Sequence, residues 1–215
     1  MADRLNFGMP LDEAMNTQRA IRRLRADPVD DEVVLRLIDL ALRAPTASNT
    51  QGWEFIVVRD PRIKKALGRL NRQVWRLYAR FGRWATRHDA KRRRMLAAVQ
   101  WQADHFEEAP AIIVVCLKGT YIPFLLISAA SYFGSIFPAV QNLLLAARAA
   151  NLGAALTTIP LWNLIALRRL LGLPWNITPC AVIPIGWPLG RYGPTTRRPV
   201  REVVSIDRFG KRPSA

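Results

Sequence analysis

The 215-residue sequence predicts an α+β fold, and three observations carry that expectation. Stretches with helical spacing of apolar residues are interspersed with short β-branched runs, but not in the regular strand-helix-strand order of a doubly wound sheet. Half of the residues are apolar, enough for one core at this length. Charged residues supply only 22%, and turn signals punctuate the apolar stretches throughout, which argues against a largely disordered chain. A single domain over residues 1–215 is expected.

The elements follow in order. Asp30, Asp31 and Glu32 precede an apolar-periodic run, so a helix over about 30–43 is predicted, with a capping oxygen and acids in its first turn. A polar loop at 44–52 leads into 53–58, whose aromatic and β-branched residues mark a strand. Basic residues at 62, 65, 69, 72, 76, 80, 83, 87, 91 and 94 recur every three or four positions. Beside them runs an apolar stripe of Ile63, Leu67, Leu70, Val74, Leu77, Phe81 and Trp84. Both stripes predict an amphipathic helical region over about 61–108, with Gly68 and Gly82 as the places for a break.

Residues 111–117 form a continuous apolar run suited to a buried strand. Residues 134–151 read as a long apolar helix closed by a left-handed cap at Gly153. A helix over about 162–171 stops at Gly172, with Pro174 behind it. Residues 180–186 make a third strand and 202–206 a fourth. Residues 121–147 carry no charge, but Pro123, Gly134, Pro138 and the pair Gln141-Asn142 speak against a membrane span.

Residues 1–16 lack the basic, apolar and small-residue succession of a secretory leader, so a cytoplasmic protein is expected. Cys116 and Cys180 each sit in an apolar run, as buried, inert thiols do. No Gly-rich dinucleotide turn, phosphate loop or nucleophile elbow is present. His88 and His105 have no carboxylate at metal-ligand spacing, and no metal is expected. The net charge is +16, and 14 Lys or Arg against Asp60 and Asp89 place +12 of it between residues 59 and 94. Such an excess suits nucleic acid, anionic lipid or an anionic small ligand, and charge alone does not choose among them.

Four short segments remain: Thr17-Gln18-Arg19-Ala20-Ile21-Arg22-Arg23, then Ala44-Pro45-Thr46-Ala47-Ser48-Asn49-Thr50-Gln51-Gly52-Trp53-Glu54-Phe55, then Gly134 through Pro138-Ala139-Val140-Gln141-Asn142-Leu143-Leu144-Leu145-Ala146-Ala147 to Gly153, and last Arg197-Arg198-Pro199-Val200-Arg201-Glu202-Val203-Val204. In this order, and spread over nearly the whole chain, they resemble the nitroreductase family of flavoenzymes.

The resemblance implies a central mixed or antiparallel sheet flanked by helices, in an intertwined homodimer with FMN at the subunit interface. It implies that Arg19, Ala20, Arg22, Arg23 and Arg197 lie at the FMN phosphate and ribityl chain, with Arg198 as a substitute. A guanidinium fork is well fitted to a phosphate dianion. Pro45, Thr46 and Ala47 would be the partner subunit's contacts to the isoalloxazine, while Asn49 and Gln51 would hold the loop or the flavin's polar edge. Thr157 and Thr158 fall where backbone groups approach flavin N5. The implied chemistry is ping-pong transfer from NADPH or NADH to a small electron-poor acceptor such as a nitro compound, quinone or enone, with no protein acid or base. Gln18, Ala20 and Gly52 depart from the commoner pattern, which leaves fewer side-chain donors for the phosphate.

The basic region at 61–108 would then be a lid whose charge attracts NADPH or an acidic acceptor. The rival reading is a surface-binding module: an arginine stripe beside an apolar stripe, with Trp75, Trp84 and Trp101, is the pattern of a helix lying on an anionic membrane. Nucleic acid is the weaker partner, because no DNA- or RNA-binding module accompanies the charge. A merely solvated helix face is the plain alternative.

Overall fold

Val114 and Val182 face one another at the centre of a four-stranded antiparallel sheet. The computed structural model describes residues 7–85, 88–119 and 126–213. Basic positions 83 and 87, Phe81 and Trp84 of the apolar stripe, and residues 121–125 of the uncharged run lie outside the described residues or side chains.

In chain order the strands are β1 (Trp53–Val58), β2 (Ala111–Lys118), β3 (Gly153–Ala154) and β4 (Ile177–Gly186), and across the sheet they run β1-β2-β4-β3. The helices are α1 (Leu11–Thr17), α2 (Asp31–Ala41), α3 (Pro61–Ala85), α4 (Ala90–Asp104), α5 (Leu126–Ala149), α6 (Leu164–Leu171) and α7 (Val200–Val203). The two central strands are apolar on both faces because both are covered. Ala111, Ile113, Val115, Ala181 and Ile183 pack against α2 and α5, whereas Ile112, Val114, Cys116 and Val182 pack with Leu67 of α3 and Leu167 of α6.

The expected strands at 53–58, 111–117 and 180–186 form, the last beginning three residues early at Ile177. Residues 202–206 do not become a strand. Val200–Val203 close a helical turn behind Pro199, and the fourth strand is the two-residue β3. Its shortness follows from Pro184. The β3–β4 register carried on by one residue sets Ala155 opposite a residue with no N–H, and pairing resumes only at Thr157 and Val182.

Two caps also differ from expectation. Asp30 precedes α2, but its side chain makes no capping hydrogen bond. At the end of α5 the left-handed residue is Asn151 (φ 57°), not Gly153. Leu152 N–H donates to the Ala147 carbonyl and Asn151 N–H to that of Arg148, which closes the last turn. Gly172 does take the left-handed cap, at φ 64°.

The basic region is two helices. The break comes after Ala85 rather than at Gly68 or Gly82, and Asp89 starts α4 by accepting from the Arg92 N–H. Gly68 instead admits the Glu107 carboxylate, since a Cβ there would lie 2.4 Å from Glu107 Oε2. The buried face of α3 drifts to Leu67, Asn71, Trp75 and Ala79, a four-residue spacing, and Leu77 of the expected apolar stripe stands exposed.

Candidate functional site

Residues 19–25 run extended between β3 and the chain that leaves β4. Ile21 N–H donates to the Ala154 carbonyl at 3.0 Å, Arg25 N–H to Trp187 at 2.8 Å, and Arg23 accepts from Leu189 N–H at 3.0 Å. Ile21 and Leu24 turn inward onto Gly153, where any Cβ would come within 2.7 Å of both side chains. This close approach is the reason for the glycine.

The intervening Arg22 is half-buried, forms no ion pair and hydrogen-bonds to nothing among the described residues. Burial alone pushes its pKa below the usual arginine value. An arginine keeps its proton in a protein, so an anion beside it would offset the cost of burial where neutralisation does not. Arg19, Ala20 and Arg23 are exposed beside it.

The C-terminal arginine segment reaches the same region. Thr195 donates to the Asn16 carbonyl through its N–H at 2.9 Å and its hydroxyl at 3.1 Å. Two residues earlier, a Cβ at Gly193 would lie 3.9 Å from Arg19 Nη1. Arg197 is exposed and among the described residues donates only to the neighbouring Thr196 carbonyl, whereas Arg198 pairs with Glu202 at 3.2 Å and is therefore the less free of the two.

Thr157 is tied into the sheet through both backbone groups, which exchange 2.9 Å hydrogen bonds with Val182, and its hydroxyl accepts from the Ile159 N–H. Among the described residues nothing accepts from the Thr158 N–H. Of the Thr157–Thr158 pair, Thr158 thus offers the backbone donor.

The polar loop stands apart. Ala47 N–H donates to Ser135 Oγ at 3.1 Å and the Trp53 indole to the Ser135 carbonyl at 2.8 Å, which moors the loop to the first half of α5. Thr46 Oγ1 accepts from Gln51 N–H, and Asn49 Oδ1 accepts from Gln51 Nε2, so these side chains hold the loop itself. Ser48, Asn49 and Gln51 take φ values of 51°, 51° and 49°. Three left-handed residues without a glycine cost about 1 kcal/mol or more each, and such strain gathers where a loop presents its atoms to a ligand. Pro45, Thr46 and Ala47 lie at its start.

These contacts tie residues 19–25 to β3 and to the chain after β4, and Thr195 to Asn16, whereas the loop at 45–51 is moored elsewhere, on Ser135. Ser135, which moors the loop, and Arg148, which lies by the N-terminal segment, are about 20 Å apart along α5 at 1.5 Å per residue.

The match to the family model named Nitroreductase family spans residues 16–187, most of the chain and the whole sheet with its connecting helices. The chain belongs to the nitroreductase family. Among family members with curated descriptions, an iodotyrosine deiodinase of Nematostella vectensis is 25% identical over 199 residues, 90% of this chain and 74% of that one. A protein of Methanothermobacter thermautotrophicus, provisionally named NADH dehydrogenase/NAD(P)H nitroreductase, is 28% identical over 185 residues, 84% of this chain and 78% of that one. The nitroreductase fold is matched by a BluB-like flavoprotein from Clostridium difficile 630 with a TM-score of 0.71 at 18% identity, covering 94% of this chain and 100% of the other. An iodotyrosine deiodinase bound to FMN and 3-iodo-L-tyrosine superposes with a TM-score of 0.68 at 21% identity, covering 94% and 99%.

Arg148 is a further residue of this region, outside the motif positions. It is buried, donates from Nε to Thr17 Oγ1 at 2.7 Å and from Nη1 to Asn151 Oδ1 at 3.0 Å, approaches Glu13 at 3.7 Å and lies over the Tyr192 ring. Tyr192 donates in turn to the Leu152 carbonyl, and burial pushes its pKa up to about 12. The pair thus fixes the chain on both sides of Arg19. A single charge ending an otherwise uncharged helix was the available signal. Ser135 also lies outside the motif positions, and nothing in its surroundings in sequence announces a mooring role.

Among the described residues no group of three His, Cys, Asp or Glu is placed to hold a metal ion. His105 stacks on Trp101 with centroids 4.2 Å apart, a packing role. Cys116 and Cys180 are buried and unbonded to one another.

Proposed function

We propose that the protein is an FMN-dependent oxidoreductase that works as a homodimer and passes reducing equivalents from NADPH or NADH to a small electron-poor acceptor. The observation that carries this reading is Arg22: a half-buried guanidinium with no carboxylate partner among the described residues, in one segment with exposed Arg19 and Arg23 and fixed by backbone hydrogen bonds on either side. A phosphate dianion is the ligand such a group fits. Arg22, Arg19 and Arg197 would hold the FMN phosphate, with Arg23 and Arg198 at the periphery and Ala20 leaving room for the chain. Thr158 N–H would face the flavin ring, where a fixed donor favours the reduced, anionic form.

Bound FMN supplies the hydride acceptor and donor in this chemistry. The residues of this chain need only bind, orient and exclude water, which agrees with the lack of a convincing acid or base in the motif segments.

Dimerisation supplies what one chain lacks. The strained loop with Pro45, Thr46, Ala47, Asn49 and Gln51 is moored at Ser135, about 20 Å along α5 from Arg148 and the N-terminal segment, so a partner's loop would complete each site. The apolar surface agrees with that. Leu11 and Met15 of α1, Phe133 and Phe137 of α5, and Val200, Val203 and Phe209 near the C-terminus are all exposed. A second copy would cover surface of this kind.

The decisive experiment is purification without added cofactor, followed by absorbance, gel filtration and titration. A yellow dimer with about one flavin per chain, bleached by NADPH or NADH and reoxidised by one of a panel of nitroarenes, quinones, enones and iodotyrosine, is the expected result. A colourless protein that takes up no FMN on reconstitution would overturn the proposal.

A further inference from the structure

We propose that the outer face formed by α3 and α6 docks on an anionic lipid bilayer. The 25 residues of α3 contain no acid, and neither do the 3-10 turn Ile159–Asn163 and the eight residues of α6. Among the described side chains of α3, Arg72 alone forms an ion pair, with Glu107 at 2.6 Å, while Lys64 donates to the Ala109 carbonyl. Arg62, Lys65, Arg69, Arg76 and Arg80 are exposed and form no ion pair within 4 Å among the described residues, and Arg169 of α6 is likewise exposed. At 100° per residue Arg62, Lys65, Arg69, Arg76 and Arg80 fall within one sector of about 60°, directed away from the buried line of Leu67, Asn71, Trp75 and Ala79.

The charge is not alone on this face. An open groove of about 290 Å³ separates α3 from α6; Ala66, Leu70, Ala166 and Leu170 make its half-buried floor, and exposed Arg69 and Gln73 stand at its rim. Leu77, one turn beyond Gln73, is 61% exposed; Trp162 is 71% exposed and Ile165, one turn before Arg169, is 60% exposed. Guanidinium groups around an apolar groove, with a tryptophan and two aliphatic side chains left in water, match the chemistry of phospholipid headgroups above acyl chains. A nucleic acid would use the cations but gains nothing from Leu77 and Ile165. No helix among the described residues is long and apolar enough to cross a membrane, so the attachment is peripheral. The inference stands independently of the flavin reading.

The test uses the full chain as purified, in cosedimentation with vesicles of phosphatidylcholine alone and with a third of phosphatidylglycerol. Quenching of tryptophan emission by brominated acyl chains is read in parallel. Binding is expected only to the anionic vesicles and is expected to fall steeply with salt. The triple variant Arg69→Glu, Arg76→Glu, Arg80→Glu should bind at least about 100-fold more weakly, and the corresponding triple Lys variant should bind like the wild type. Trp162→Ser with Ile165→Ser should weaken binding about 10-fold or more and reduce the quenching. Equal binding to neutral vesicles, indifference to the charge reversal, or tighter binding to a DNA duplex than to anionic vesicles would each overturn the proposal. If the Glu variant fails to fold, the wild-type lipid arms and the Trp162, Ile165 double variant decide.

Discussion

The guanidinium carbon of Arg148 lies 4.1 Å from the centroid of the Tyr192 ring. The pair joins the last turn of α5 to a segment more than forty residues further along the chain, and Thr17 completes it from the N-terminal side. Arg148→Ala removes two hydrogen bonds and the cation–π contact from a buried site. It should cost about 3 kcal/mol in urea unfolding. Because Thr17 and Tyr192 flank the Arg19 region, FMN affinity should fall as well, measured by flavin fluorescence, and Arg148→Lys should restore only part of both.

Arg22 behaves in the opposite way if its role is to meet an anion. Arg22→Ala should weaken FMN binding about 10- to 100-fold by calorimetry, the value of a charge-assisted contact. The FMN-free protein should melt at an equal or higher temperature, because the variant no longer holds an uncompensated cation out of water. A destabilised FMN-free variant with unchanged flavin affinity would mark Arg22 as structural instead.

Gly153 couples the sheet to the same segment. Gly153→Ala places a methyl within 2.7 Å of Ile21 and Leu24 side chains, in a core with little room to yield. Overpacking of this sort costs about 1–3 kcal/mol, and the displaced segment 19–25 should carry Arg22 with it. Thermal melts and flavin titration should therefore both respond, in contrast to the split expected for Arg22→Ala.

Glu107 gives a pH-dependent stability. Burial raises its pKa, but the hydrogen bond and charge of Arg72, with Lys65 further off, outweigh this and leave it below the ordinary value. A carboxylate depressed in the folded state stabilises fully above its unfolded pKa, about 4.3, and loses that contribution as pH falls through the folded value. Glu107→Gln should thus cost about 1 kcal/mol at neutral pH, since the pair is partly exposed. The difference from wild type in denaturant melts should shrink as the pH falls below about 4.3.

The thiols should be silent. Burial pushes Cys116 up to about 12 and Cys180 to about 11, so neither is a thiolate at neutral pH. Ellman's reagent should label both cysteines of the chain only after unfolding. Fast labelling of either in the native protein would contradict the burial.

The sequence by itself determined the α+β class, three of the four strands, the stop of α6 at Gly172 and the four segments that mark the nitroreductase family. These features follow from side-chain period, capping and glycine or proline geometry, all of which act within about one helical turn or one strand. Only the tertiary structure decided that Asn151 rather than Gly153 caps α5, because Gly153 answers to Ile21 and Leu24 from far earlier in the chain. It likewise turned Leu77 outward and Trp75 inward, since the buried face of α3 follows the surface it packs on rather than the strongest local stripe. Residues 202–206 had strand composition, but Val200–Val203 turn helical behind Pro199, and Pro184 stopped β3 after two residues. The placement of residues 19–25 against β3 and of Thr195 against Asn16 depends on contacts such as Ile21 to Ala154 and Thr195 to Asn16, which span most of the chain and leave no signature in local spacing.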